Sequence, residues 1–297
     1  MTVDVVCGGS PFLDVVFRGL PRIPMPGEEV LASEVVIVPG AMANVAFALR
    51  RLGLDAVVCS PIGMDPAGRL LQDLMAGAGV PWIGQPTDST SVSVGLPIDG
   101  ERAFVTVQAD AVVDLDAIAA LAPRAVILNL PLPGRMPGTP WIYGVIGDPQ
   151  VAILLEDGPK PLTELRALFL NEREARDLTG LSDASDAAAE LAARGCLVVV
   201  TRGADGAAAA MPDGRVLEAA AVETEAQDTV GAGDLFAAAF VWADLLGRPV
   251  EERLNLATAY ASLSLAGPAP RQKGLTAAAF RDALAATEVP MDWLQEV

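Results

Sequence analysis

One pattern narrows the fold of this chain more than any other. Short apolar runs that end in a glycine or a polar residue alternate with stretches of helical spacing. Residues 3–8 (VDVVCG) and 56–60 (AVVCS) are of the first kind. A strand covered on both faces shows no in-and-out alternation, so such runs read as buried strands of a parallel sheet. Residues 42–52 (MANVAFALRRL) carry apolar side chains at helical spacing, and Gly53 follows as a C-cap signal. Asp65-Pro66 opens a further helix, expected to run to about residue 78, with proline at its first position. The alternation resumes with strands expected near 125–130, 142–146, 168–170 and 197–202. Helices are expected near 115–122, 161–167, 172–179 and 184–194, and the part from 232 onward is mostly helical and rich in alanine. Repeated βα units predict an α/β fold, a doubly wound and mostly parallel sheet with helices on both faces.

Two stretches break that rhythm. Residues 92–107 alternate about Asp99-Gly100, a hairpin signal. Residues 29–38 (EVLASEVVIV) look extended after Gly27. Neither has a helix beside it, so both are assigned to a small β lid drawn from about 12–38 and 88–108. A second hairpin is expected over about 206–220, turning at Asp213-Gly214. With no internal repeat and no low-complexity linker, residues 1–297 are expected to form one domain that carries its lid.

Composition excludes several chemistries. The chain has no histidine. That removes Ser-His-Asp and Cys-His hydrolysis, histidine-ligated metals and phosphohistidine chemistry. A catalytic base must then be a carboxylate, a lysine, a tyrosine or a cysteine, and Lys160 and Lys273 are the two lysines. A net charge of −18 repels nucleic acid and anionic lipid, so neither is an expected partner. Cys7, Cys59 and Cys196 each sit in an apolar run, as buried free thiols do in a reducing compartment. No apolar run is long enough for a membrane span, and the N-terminus lacks the basic region of a signal peptide. A soluble cytoplasmic protein is expected.

Four motifs carry chemistry. Asp228-Thr229-Val230-Gly231-Ala232-Gly233-Asp234 stands immediately before a run of helical periodicity. A helix start exposes unpaired N–H groups and the positive end of the dipole, and glycine lets an anion come close. A carboxylate there, Asp234, could accept the proton of an attacking hydroxyl; equally, it could simply cap the helix. Asn171-Glu172-Arg173-Glu174 reads either as a capping box or as oxygen ligands near Mg²⁺. Thr201-Arg202-Gly203-Ala204-Asp205-Gly206 follows a buried strand. It is either an ordinary turn or a place where a nucleotide lies against the backbone. Asp14, in GGSPFLD, and Asn44, in PGAMAN, could hold vicinal hydroxyls.

In this order the motifs resemble those of the PfkB/ribokinase family of carbohydrate and nucleoside kinases, over nearly the whole chain. D-T-x-G-A-G-D at 228–234 is that family's most specific signature, and N-x-x-E at 171–174 and T-x-G-x-x-G at 201–206 follow the family order. The resemblance implies a ribokinase-like fold with a β lid and transfer of the ATP γ-phosphate to a hydroxyl of a sugar or sugar-like alcohol. It also implies a role for each matched residue. Asp234 would be the base, and the Gly231, Ala232 and Gly233 backbone the anion hole. Asn171 and Glu174 would serve the Mg²⁺–phosphate region, Glu174 through water. Thr201, Gly203, Gly206 and Thr229 would line the ATP site, while Asp14, Gly40 and Asn44 would hold the acceptor. Some members bind a monovalent cation such as K⁺, for which Asp228 and the Val230 carbonyl are the candidates.

The departures lie at the acceptor end. Pro39 replaces the first glycine of a Gly-Gly-x-x-x-Asn motif. Ala41 stands where sugar kinases often have lysine, 128–133 (LNLPLP) has no acid, and Thr258 stands near a common asparagine. A phosphate on the acceptor would normally be met by Lys or Arg, so an unphosphorylated acceptor is expected, although Arg102 lies beyond the lid turn. A nucleoside stacked on Phe12, Phe17 or Phe104 is an alternative, as is a ligand-binding relative without turnover. A homodimer through exposed lid edges is also compatible with the sequence.

Overall fold

The computed structural model describes residues 3–98, 101–109, 112–138, 140–158, 160–224, 230–266 and 274–287. In chain order its strands are β1 (Val5–Gly8), β2 (Pro11–Arg18), β3 (Glu34–Ala41), β4 (Ala56–Cys59), β5 (Ile62–Gly63), β6 (Trp82–Ile83), β7 (Pro86–Thr87), β8 (Ser91–Ile98), β9 (Glu101–Val107), β10 (Ala125–Asn129), β11 (Trp141–Val145), β12 (Ala167–Asn171), β13 (Leu197–Thr201), β14 (Ala207–Ala210) and β15 (Val216–Ala219). The helices are α1 (Met42–Arg51), α2 (Pro66–Gly77), α3 (Leu115–Ala120), α4 (Asp148–Asp157), α5 (Glu172–Thr179), α6 (Ala184–Ala192), α7 (Ala232–Leu245), α8 (Val250–Leu265) and α9 (Ala277–Ala285).

The apolar runs form one sheet in the order β15-β14-β13-β12-β11-β10-β1-β4-β6. It is parallel from β6 to β13, and β14 and β15 close one edge antiparallel. Successive residues of each strand enter opposite cores. Val5, Cys7, Ile127, Phe169 and Val199 pack toward α1, α2, α7, α8 and α9. Val6, Val126, Leu128, Leu168 and Val198 pack toward α3, α5 and α6. Two buried faces explain why these runs are apolar without a break. From β1 the chain builds outward to β4 and β6, then crosses back to β10 on the other side of β1. The order therefore reverses between β1 and β10, the kind of crevice in which open α/β sheets bind ligands.

The lid is a second sheet, β3-β2-β8-β9. β2 is antiparallel to β3 and parallel to β8, and β8 is antiparallel to β9. Its base is fastened to the main body by Asp65, whose Oδ1 caps α2 by accepting from Gly68 N (2.7 Å) and Thr90 Oγ1 (2.8 Å). Its Oδ2 accepts from Thr90 N (3.0 Å), directly before β8.

Some expectations are corrected. No helix occupies 161–167. Residues 161–166 make a turn in which Leu165 N donates to Leu162 O and Leu162 N to Arg194 O. The crossover helix is α4 instead, opened by Gly147 N donating to Gln150 Oε1 (3.0 Å). The expected lid strand over 29–38 begins only at Glu34 and continues to Ala41. Ser33 turns the chain through two bonds to Arg18 O, so pairing starts at Arg18↔Glu34. The Asp99-Gly100 turn and the Arg102 side chain lie outside the described residues, although β8 and β9 pair up to Ile98↔Glu101. The three cysteines are buried and free. Among the described residues no helix is long and apolar enough to cross a membrane.

α7 is buried from Leu235 through Leu245, on all sides. Such a helix needs its remaining polar group paired. Asp244, 1% exposed, accepts from Arg166 Nε (2.5 Å) and Nη2 (2.7 Å), from Arg253 Nη1 (3.0 Å) and from Tyr143 Oη (2.7 Å). Trp141 covers the Arg166 guanidinium at 3.7 Å. Asp244→Ala leaves two arginines without their buried partner and is expected to cost about 3–5 kcal/mol in urea unfolding. An unchanged midpoint would show that the cluster does not anchor α7.

Candidate active site

The alternation that fills the core also builds the rim above it. On the α7 face the positions following Cys7, Ile127, Tyr143, Phe169 and Val199 by two residues are Gly9, Asn129, Val145, Asn171 and Thr201. Asn129 stands opposite Val145, and Asn171 opposite Thr201. All lie at the carboxyl ends of the parallel strands.

The start of α7 stands over this rim. Gly231, its N-cap, has φ 80° in the left-handed region, a conformation glycine adopts without strain. Among the described residues no side chain caps the helix there, and a helix start directs the N–H groups of its first turn outward with the positive end of the dipole. A Cβ added at Gly233 would meet nothing within 4 Å, which leaves open space over its backbone. Asp234 lies in this first turn, and its Oδ2 accepts from Asn44 Nδ2 of α1 at 3.0 Å, a contact between residues 190 positions apart. Burial, with the Asp234 charge second, pushes the Cys7 thiol upward beneath it. Asp228 and Thr229 lie outside the described residues.

On the β13 side of α7 is a cleft of about 510 Å³, within the range of small-ligand sites. Thr201, Gly203 and Gly206 form one wall, while Ala232 and Gly233 bring the helix start into it. Phe236, Val222 and Leu265 give it apolar surface. Thr258 lies at its α8 wall. Ser262, which no sequence motif marks, accepts from Val222 N (3.3 Å) and so fastens that wall. One end of the cleft is apolar, and the other is the α7 start, where the space over Gly233 is open.

On the β1 side the lid contributes Asp14, 7% exposed. Register places Phe12, Val16, Val38, Gly40, Ser93 and Phe104 on the same lid face as Asp14, and Phe17 on the opposite one. A Cβ at Gly40 would lie 2.2 Å from Asp14 Oδ2, so only glycine lets this carboxylate rest on β3. Pro39 is tolerated because β3 is an edge strand and needs hydrogen bonds on one side only. Ala41, the N-cap of α1, has φ 49° and ψ −125°, a strained conformation for a residue with a side chain. Thus Asp14, Gly40, Asn44 and Asp234 are joined through α1 and its entry, whereas Thr201, Gly203 and Gly206 gather across α7.

Asn171 and Glu174 form a reciprocal capping box: Glu174 N donates to Asn171 Oδ1 (2.9 Å) and Asn171 N to Glu174 Oε2 (2.8 Å). Glu174 is 6% exposed, and burial pushes its pKa up to about 7 against the lowering effect of the Asn171 N–H. Among the described residues no three potential ligands cluster around a metal position. Asn171 and Glu174 offer oxygen donors, the type Mg²⁺ prefers. The shift has a definite sign. Between about pH 4.5 and 7 the folded protein holds a proton on Glu174 that the unfolded chain releases. The corresponding stability is complete below 4.5 and lost as pH rises through 7. Glu174→Gln is expected to flatten that part of the stability profile, measured by urea unfolding from pH 4.5 to 8. A slope equal to wild type would assign the titration to another group.

Comparison with known proteins shows the family and the fold. Residues 6–124 and 150–274 match the family described as "pfkB family carbohydrate kinase". The bifunctional protein HldE of Azorhizobium caulinodans is 30% identical over 77% of this chain, which spans 53% of that protein's length. An ATP-dependent ribose-1-phosphate kinase of Halopiger xanaduensis is 29% identical over 96% of this chain and 97% of its own. In fold, the chain is similar to Arabidopsis thaliana ribokinase, solved with ribose and ATP. The TM-score is 0.77 at 22% identity, covering 97% of this chain and 100% of that one. The chain belongs to the pfkB family of carbohydrate kinases and is a phosphotransferase with an alcohol group as acceptor.

Proposed function

We propose that this kinase transfers the γ-phosphoryl group of ATP to a hydroxyl of a small, unphosphorylated sugar or sugar-like alcohol. The observation that carries the reading is the Asn44–Asp234 hydrogen bond. It holds a carboxylate at a helix start, between a cleft of nucleotide size and the crevice of Asp14. Asp234 takes the proton of the attacking hydroxyl as the new O–P bond forms and the bond to the ADP oxygen breaks. Asn44 orients that carboxylate. Backbone N–H groups at the Gly231–Gly233 turn meet the charge of the transferring group. Thr201, Gly203, Gly206 and Thr229 line the ATP site, and Asp14 and Gly40 position the acceptor. Asn171 and Glu174 would hold an ATP-bound Mg²⁺ through water, and the ion would supply neutralisation of the phosphate charge. Asp228 is the candidate for a monovalent cation such as K⁺.

Two carboxylates, Asp14 and Asp234, flank the acceptor crevice, and the lysine often found in the family is Ala41 here. Both features disfavour a second phosphate on the acceptor. A nucleoside is the second reading, favoured by Phe12 and Phe104 on the Asp14 face of the lid; Phe17 faces away. A ligand-binding relative without turnover fits less well, because the paired Asp234 would then have no task. The whole chain is proposed to act as one cytoplasmic domain, with copies pairing through the exposed lid edges β3 and β9.

Asp234→Asn keeps the hydrogen-bond geometry while removing the base. It is expected to bind ATP as wild type and turn over roughly 10²-fold or more slower. Near-normal turnover would end the assignment. Asp14→Ala is expected to raise the acceptor KM far more than the ATP KM. Equal rises would take Asp14 out of the acceptor site.

A further inference from the structure

Every polar side chain on the α7-face rim has a part in the account above except Asn129. This residue ends β10, directly beside β1 at the reversal point and on the face of Asn44 and Asp234. It is half-buried, and no hydrogen bond from its amide to the described residues is present. Its position is set by a close approach. A Cβ at Gly9 would lie 2.1 Å from Asn129 Oδ1 and 3.0 Å from Met42 Cγ. The amide thus lies across the bare backbone of Gly9, beside the first residue of α1. Two residues further along α1 is Asn44, bonded to Asp234. From Gly9 the chain enters β2 and reaches Asp14.

We infer that Asn129 is a specificity-determining residue that hydrogen-bonds a hydroxyl of the acceptor from the floor of the crevice, opposite the lid. The inference rests on the kinase reading given above and adds a contact to it. An amide offers both a donor and an acceptor and carries no charge. It can therefore bond an alcohol whichever way the hydroxyl points. Between Asp14 and Asp234 a third carboxylate would add repulsion, whereas an amide adds recognition without it. An acceptor lacking the matching hydroxyl would leave this half-buried amide unpaired, which is costly and hence discriminating.

The test uses the full-length enzyme with Mg·ATP, D-ribose against 2-deoxy-D-ribose, D-glucose against 2-deoxy-D-glucose, and further pentoses and hexoses. Asn129→Ala is expected to raise the KM of the best acceptor about tenfold while leaving the ATP KM unchanged. It should also shrink the wild-type preference for the hydroxylated member of a pair. Gly9→Ala, which displaces the amide, is expected to reproduce this effect, and to have no further effect in the Asn129→Ala background. An unchanged acceptor KM, equal changes in both KM values, or additive effects of the two substitutions would overturn the role of Asn129 and leave the kinase reading intact. A wild-type enzyme that forms no ADP in response to any of these acceptors would overturn both.

Discussion

The burial of α7 is the constraint on which this molecule depends. A helix apolar on all sides can sit only between a sheet face and other helices, and from Leu235 through Leu245 it does so. Its far end is fixed by Asp244 among Arg166, Arg253 and Tyr143. Ten residues earlier, about 15 Å along the axis, its first turn emerges at the carboxyl rim of the sheet. Packing at one end therefore sets the place of Asp234 and the outward N–H groups at the other. A rigid helix start is what phosphoryl transfer needs, since the protein contributes mainly position and charge stabilisation.

The two sides of that helix start differ in how they are built. Toward β13 the walls are strand end, turn and helix, all part of the main body. Toward β1 the crevice is closed by a separate sheet, held by the Asp65–Thr90 contacts and by the strained entry at Ala41. Asp14 reaches the site only because Gly40 makes room for it. In the proposed reading the nucleotide side is preorganised by the core, while the acceptor side depends on how the lid is seated. Acceptor choice can then vary through a few lid and rim residues while the helix start remains unchanged.

Much of this was legible in the sequence, for physical reasons. Unbroken apolar runs meant strands with two buried faces, and they are found where expected. The motifs at 171–174 and 201–206, and the described part of the third at 230–234, fall at strand ends or at a helix start, because chemistry and secondary-structure boundaries coincide there. The sequence misled over the β11–β12 crossover. Residues 161–166 have helical spacing but form a turn, and the helix of this crossover, α4, was not among the expected ones. The strain at Ala41 and the Ser262 contact depend on dihedrals and tertiary partners that leave no local pattern. Asn129 carries no local signal, because asparagine after an apolar run is an ordinary way to end a strand. Only register and the approach at Gly9 show which face it occupies.

The most direct measurement is ADP formation by the purified protein with Mg·ATP across pentoses, hexoses, nucleosides, sugar acids and sugar phosphates, with the phosphorylated product identified by mass. The account predicts acceptor-dependent ADP release that is strongest with an unphosphorylated sugar or sugar-like alcohol. Release driven best by a sugar phosphate would contradict the electrostatic reading of the Asp14–Asp234 crevice. Folded protein that binds ATP but is silent with every acceptor would contradict its catalytic reading.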